Sequence, residues 1–410
     1  MKILYVTGAC LFNNTSANMS HNAYVQGLIE NGADLDIIMA SDSWGESDSK
    51  FKKYPDARYF IYNSVSLIDR IRLKARGIIK PQVDTSPKVG NVSSEEAVSQ
   101  RPSVSLKTKL RSCFKRLFYT CFRQDPVYPL QKTWLKEAVK FKSEVAYDLV
   151  VSNSSPAASH RLVADLLGRN RIKTKRWVQI WEDPWYYDLY GHKSEAILAE
   201  EHSLLRKAQE ILYVSPLTLH YQKQYFPDCA DKMKAIPLPA FAIGKSGEID
   251  SDQAISFGYF GDYYSHVRNI MPFYEALTKS GFAGYIYGDT DLSLHSSDRV
   301  IVSGRVTLDI LEGVQDKTSV LVHLSNLRGG QIPGKIYHYS ATSKPILFIL
   351  DGTDEEIALL RDYFSHFDRF VFCENTSDDI LSAMNTIMAG LHLQKPVDAF
   401  SPKSVVKLFI

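Results

Sequence analysis

Short apolar runs bounded by glycine, proline or polar clusters recur along the chain, and amphipathic stretches separate them. In the first half Lys2–Thr7, Leu35–Ala40, Tyr147–Ser152, Arg176–Ile180 and Ile211–Ser215 read as strands. Ile255–Phe260, Gly284–Tyr287, Val300–Val302, Val320–Leu324 and Ile346–Leu350 repeat the pattern in the second half. Their length and β-branched content suit strands covered on both faces. Helices are predicted over His21–Asn31, Glu200–Gln209, Pro216–Tyr225, Ile270–Lys279, Lys335–Thr342 and Asp378–Ala389, and another follows the Ser/Pro turn in NSSPAASH. Gly32 and Gly168 supply helix stops. Strand alternating with helix requires crossover connections, so the sheets should be parallel and the fold class α/β.

The rhythm lapses from Ser64 to about Lys142, where residues 81–105 are rich in Ser, Val, Pro and Gln. A second lapse, PLPAFAIGKSGEIDSD, reads as a linker; its GKS lacks the preceding glycine of a phosphate-binding P-loop, since Pro239 stands there. The expected division is residues 1–238, residues 239–391 and a tail, 392–410, that returns to the first domain.

Composition narrows the classes. With 410 residues, 45% apolar and 23% charged, the chain has the make-up of a globular protein with room for two or three domains. A net charge of +2 gives no field that would select nucleic acid as a partner. Cys10, Cys113, Cys121, Cys229 and Cys373 are scattered without metal-ligand spacing, which suits a reducing compartment and no zinc. The N-terminus reads as a strand and not a signal peptide, and no run has the length of a membrane span, so the expected location is cytoplasmic. One stretch stands apart. LKTKLRSCFKRLFYTCFR, residues 106–123, puts Leu and Phe on one helical face and Lys and Arg on the other, with no acid. Such a helix can lie on an anionic membrane surface, or pack its apolar stripe on a core.

Candidate chemistry gathers at strand ends, where open parallel sheets bind ligands. The stretch RGGQIPGKIYHYSATSKPILFIL joins a glycine-bearing loop to a helix, and Lys335 adds a charge where free N–H groups would meet an anion. Arg268 should reach the same edge. In the first half, the loop Ala9–Ser20 is placed to touch a substrate, which makes Gly8, Asn13, Asn14 and His21 candidates for an acceptor. His160 follows the Ser/Pro turn, and Asp183 sits in WEDPW, where acids and aromatics suit sugar hydroxyls and rings.

These segments, taken together, resemble bacterial GT4-like glycosyltransferases of the GT-B fold. IWEDPW is similar to their first-domain turn, YDLVVSNSSPAASH to their strand and Ser/Pro turn, and QIPGKIYHYSATSKPIL to their donor segment P-x-K-x-x-E-Y-x-A-x-G-K-P-I. The resemblance implies two Rossmann-like domains facing each other across a cleft. It implies a nucleotide-diphosphate sugar as donor, a glycan or lipid-linked acceptor, and retention of configuration without a metal or other cofactor. By the same resemblance Arg268 and Lys335 serve catalysis with His160 and Asp183. Gly288, Arg305, Val306, Gly330, Gln331, Ile332, Pro333, Gly334 and His338 hold the donor. The chain departs from the pattern at three positions: Asp262 stands where an Arg is frequent, His338 replaces the second Glu of a pair, and Gly330 stands near the first. Two other readings share the fold, a nucleotide-sugar epimerase and a non-enzymatic partner-binding module.

Overall fold

A computed structural model of the chain describes residues 1–13, 15–41, 53–64, 125–188, 191, 193–241 and 255–410. In the first half the strands are β1 (Lys2–Thr7), β2 (Asp34–Ala40), β3 (Ala57–Tyr62), β4 (Ala146–Tyr147), β5 (Leu149–Asn153), β6 (Lys173–Thr174), β7 (Trp177–Trp181), β8 (Glu210–Tyr213) and β9 (Met233–Ala235). β4 and β6 form a small ladder of their own, and the others form one sheet in the order β3-β2-β1-β5-β7-β8-β9. In the second half β10 (Ser256–Phe260), β11 (Ala283–Tyr287), β12 (Val300–Ser303), β13 (Val320–Leu324), β14 (Ile346–Leu350) and β15 (Phe370–Glu374) form a sheet in the order β12-β11-β10-β13-β14-β15. Every pairing in both sheets is parallel, as the strand–helix alternation predicts. β5 and β14, LVVSN and ILFIL, are buried along their whole length, which is why they read as continuous apolar runs.

The connecting helices are α1 (Ser16–Glu30), α2 (Lys132–Ala138), α3 (Ala158–Gly168), α4 (Glu195–Lys207) and α5 (Pro216–Tyr225), then α6 (Met271–Lys279), α7 (Leu308–Lys317), α8 (Lys335–Ser340), α9 (Asp354–Ser365) and α10 (Ser377–Ala389). α1 begins well before the predicted His21. The Thr15 hydroxyl accepts from the Asn18 N–H and caps the helix, so residues 16–20 of the expected loop Ala9–Ser20 are helical. β3, α2, α7, α9 and β15 were not anticipated from the pattern. β3 is an edge strand with a half-exposed, irregular burial pattern, and α9 starts on a capping box between Thr353 and Glu356. The basic stretch 106–123 lies outside the described residues, and no described helix is long and apolar enough to cross a membrane.

The last helix, α11 (Pro402–Val406), lies against α1 of the first sheet. Asn31 Nδ2 donates to the Lys403 carbonyl at 3.0 Å, and the Tyr24 and Phe409 rings meet at 6.2 Å. One apolar cluster therefore runs from Ile3 and Tyr24 through Val406 and Phe409 to Phe348 and Leu350 of the second sheet. Gly27 is the contact point: a Cβ there would sit 2.1 Å from the Pro402 carbonyl oxygen. Gly27→Ala must push α11 off α1, and overpacking of this kind costs about 1–3 kcal/mol. Urea unfolding should register that loss, while Gly168→Ala, which meets nothing within 4 Å, should not.

Candidate functional site

A cavity of about 500 Å³ opens between the first turns of α1 and the loops at the carboxyl ends of the second sheet. Thr15 and Met19 reach it from the first half, and Gly288, Arg305, Lys335 and His338 face them. The cavity owes its floor to two glycines. A Cβ on Gly288 would lie 1.9 Å from the Gly261 carbonyl oxygen, so the loops after β10 and β11 touch backbone to backbone. Gly261 N–H donates to the Tyr287 carbonyl at 2.8 Å, and Gly288 N–H to that of Ser303 at 3.0 Å, which ties three strand ends into one rim. Val306, half-buried, completes that rim beside Arg305.

Charge concentrates here. Burial pushes the Lys335 amine down to about 8; nearby Asp262 opposes the shift, while Arg268 and Arg305 add to it. Arg268 is held in place, with Nε donating to Asn326 Oδ1 at 2.9 Å and Nη1 to the Asp262 carbonyl at 2.5 Å. Arg305 pairs with the Asp262 carboxylate, whose other oxygen accepts the Asp289 N–H at 3.0 Å. The acid that replaces the expected arginine thus orients a cation supplied by another loop. α8 spans only six residues, so its dipole is small and the Lys335 amine carries most of the positive charge expected of the helix start. His338 is buried, and burial followed by the Lys335 charge lowers it to about 4, so it is neutral at pH 7. A hydrogen bond to the Phe241 backbone occupies one side of the ring, and Nδ1 has no partner. Nδ1, buried with the rest of the ring, is an acceptor without a partner.

The rest of the donor segment faces elsewhere. The Gly330 carbonyl accepts from Ser215 Oγ at 2.8 Å and Thr218 Oγ1 at 2.6 Å, at the start of α5. Gln331 Nε2 donates to Asp183 Oδ1 at 2.7 Å. Gly329 N–H donates to Glu356 Oε1 at 2.7 Å, and Ile332 packs on the apolar cluster. Gly334 lies against Leu238, and Pro333 is half-buried before it. Gly330 and Gln331 thus form a clasp joining the two halves, and Ile332, Pro333 and Gly334 continue it toward Lys335. Within this segment, the predicted residues that line the cavity are Lys335 and His338. The reason is steric: a Cβ on Gly330 would lie 3.0 Å from Thr218 Cα, so that glycine serves close approach of backbones and not of a phosphate.

No protein-family model and no curated protein matches the chain. Solved structures do. A glycosyltransferase from Rickettsia africae superposes with a TM-score of 0.50 at 11% identity, over 99% of this chain and 91% of that one. HepE from Anabaena, solved with UDP and glucose, superposes with a TM-score of 0.51 at 13% identity, over 100% of this chain and 95% of that one. Both likenesses extend over nearly the whole of this chain.

The fold is GT-B. In the GT-B cleft the predicted first-domain residues separate into two groups. His160 and His21 do not reach the cleft. His160 is fully buried, with Nδ1 2.7 Å from Ser152 Oγ and its ring 4.2 Å from that of Trp181, and burial lowers it to about 3. His21 is fully buried with Nδ1 2.8 Å from Tyr5 OH, and burial lowers it to about 4. Both are buried, neutral histidines of the first domain. Gly8 donates its N–H to Ser159 Oγ at 2.9 Å and backs onto Pro156, which makes it part of the turn scaffold. The Asn13 carbonyl accepts from Asn18 Nδ2 at 3.0 Å at the start of α1. Asn14 lies outside the described residues. Asp183, in contrast, is exposed at the cleft. Partial desolvation at the cleft pushes its carboxyl pKa up, the Gln331 amide opposes the shift and the Asp188 charge adds to it.

Its neighbour Glu182 was not singled out. Burial, then the Asp183 charge, drives the Glu182 pKa well above the usual carboxylate range, and Oε1 is sealed without a partner. Its preference for the neutral form stabilises the fold fully below pH 4.5 and is lost as pH rises toward the raised value. Glu182→Gln keeps the shape without the charge. It should match wild type within about 1 kcal/mol at pH 5 and gain on it at pH 8, read as Tm at both.

Proposed function

We propose that the protein transfers a sugar from a nucleotide-diphosphate sugar to a glycan or lipid-linked acceptor. The observation that carries the reading is the convergence of Gly288, Arg305, Val306, Lys335 and His338 on one interdomain cavity of a GT-B fold. As the acceptor oxygen bonds the anomeric carbon, the bond to the phosphate oxygen breaks, its electron pair stays on the leaving diphosphate, and the acceptor's hydroxyl proton passes to that phosphate. Lys335 and the fixed Arg268 guanidinium would meet that charge, which is larger in the transition state than in the bound donor. His338 Nδ1 would accept from a donor hydroxyl, and the Gly288 and Arg305–Val306 rim would hold the base. Asp183, joined to the donor segment through Gln331, would take an acceptor or sugar hydroxyl. Retention without a metal enters through the resemblance of the donor segment. The 106–123 stretch would seat the enzyme on the cytoplasmic face of an anionic membrane during assembly of a surface polysaccharide or glycoconjugate.

A thermal-shift panel of UDP, GDP, ADP and CMP with their sugars tests the reading. One nucleotide at about 100 times its dissociation constant should stabilise the fold by roughly 2.7 kcal/mol. Release of free sugar or transfer to an acceptor would establish the reaction. Failure of every nucleotide to shift Tm would favour the partner-binding module.

A further inference from the structure

Away from the interdomain cavity, an imidazole, a carboxylate and a thiol converge in the first domain. His202 stands on α4, and Asp228 and Cys229 stand on the 3-10 helix Pro227–Lys232 that follows α5. Their ligand atoms lie within 4.8 Å of one another, and no other such group occurs among the described residues. The scattered cysteines implied no zinc because spacing along the chain cannot show ligands 26 positions apart. Backbone contacts hold the two elements together. Lys232 Nζ donates to the Arg206 and Ala208 carbonyls at 2.9 and 3.1 Å, which closes the end of α4. Cys229 N–H donates to the Phe226 carbonyl at 3.0 Å, and the Phe226 ring lies 5.3 Å from that of His202. The three groups are thus ordered before an ion arrives.

The donor set is that of a transition metal. His202 Nε2 lies 2.9 Å from Asp228 Oδ1 and 3.0 Å from Oδ2. Oδ2 also accepts from Arg206 Nε at 2.8 Å, an outer partner that orients the carboxylate and leaves Oδ1 for an ion. An ion bound tetrahedrally to Nε2 and Oδ1 at about 2.0–2.1 Å would hold them about 3.3 Å apart, a few tenths beyond their present separation. Cys229 is fully buried in the apolar cluster of the first domain, while His202 and Asp228 are partly exposed. The site is therefore open to solvent on the imidazole and carboxylate side and closed at the sulfur. Thiolate and imidazole with one carboxylate suit zinc, whereas magnesium and calcium take oxygen ligands.

We propose that His202, Asp228 and Cys229 bind one zinc ion that staples α4 to the 3-10 helix after α5. The thiol gives its proton to solvent as the sulfur bonds the metal, and water takes the fourth position. The inference is independent of the transferase reading. The full chain, stripped of metal with a chelator, would be titrated with zinc against a chromophoric chelator and with cobalt followed by absorption. One equivalent of zinc should bind with a micromolar or tighter dissociation constant and raise Tm, and millimolar magnesium should not raise it. Cobalt should give a near-ultraviolet thiolate band and the intense visible bands of a tetrahedral site. Cys229→Ala should lose the thiolate band, and Cys373→Ala should keep it. Cys229→Ala and His202→Asn should each weaken zinc at least tenfold. His202→Asn, at a partly exposed position, carries the test if the cysteine variant folds poorly. Zinc binding weaker than micromolar, a cobalt spectrum without the thiolate band, an equal Tm rise with magnesium, or unchanged zinc affinity in a folded variant would overturn the proposal.

Discussion

Lys335→Ala should weaken nucleotide binding about 10- to 100-fold, because a charge-assisted hydrogen bond contributes roughly 1.5–3 kcal/mol. The amine sits at about 8 in the unliganded protein, so it is charged below that value and neutral above it. Wild-type affinity for a diphosphate should therefore hold from pH 6 to about 8 and fall above, by up to tenfold per pH unit. The alanine variant should show no such fall, and Lys335→Arg should keep its affinity past pH 9. Folding has the opposite sign. A lysine lowered from 10.5 contributes its stability only above its unfolded value and loses it as pH falls toward 8. The alanine variant should consequently bind less while melting no lower than wild type at pH 7. Calorimetric titration across this pH range, with Tm on the same samples, checks both halves. A variant that lost binding and also lost stability would point to a structural role for Lys335.

Gly288→Ala is the second large effect. Its Cβ would meet the Gly261 carbonyl oxygen at 1.9 Å, and Gly288 has φ +156°. Neither partner is a side chain that could turn aside, so the β10 and β11 loops must separate. Overpacking and backbone strain together predict a loss of about 2–4 kcal/mol, with nucleotide binding abolished in the fraction that folds. Gly304→Ala is the control. It sits beside Arg305 in the same rim, yet its nearest neighbour is Asp289 Oδ1 at 3.9 Å, so it should change little. Denaturant unfolding separates the two, and similar losses in both would contradict the account of the rim.

The parallel strands were legible because burial on both faces writes itself as uninterrupted apolar runs. Val320–Leu324, Ile346–Leu350 and the Pro216–Tyr225 helix were read to the residue. The half-exposed edge strand Ala57–Tyr62 carries no such run and was passed over. Of the donor residues, Gly288, Arg305 and Val306 stand just after a strand's carboxyl end, while Lys335 and His338, in the helix after β13, are placed by the resemblance of the donor segment. The histidines show where local pattern stops. Nothing near His160 in the sequence says that Ser152 Oγ will meet its ring while Trp177 Nε1 donates to that same hydroxyl at 2.8 Å. The clasp is equally hidden, since Gln331 and Asp183 lie 148 positions apart and meet only in the folded chain. Thr15 and Met19 were missed for a smaller reason, the early cap that turns part of a loop into α1.

The most direct measurement is a structure of the protein with the nucleoside diphosphate that gives the largest thermal shift. The account predicts the phosphates against Lys335 Nζ, a ribose hydroxyl on His338 Nδ1, and the base at the Gly288 and Arg305–Val306 rim. A nucleotide bound outside this cavity, or within it with its phosphates turned away from Lys335, would contradict the central claim.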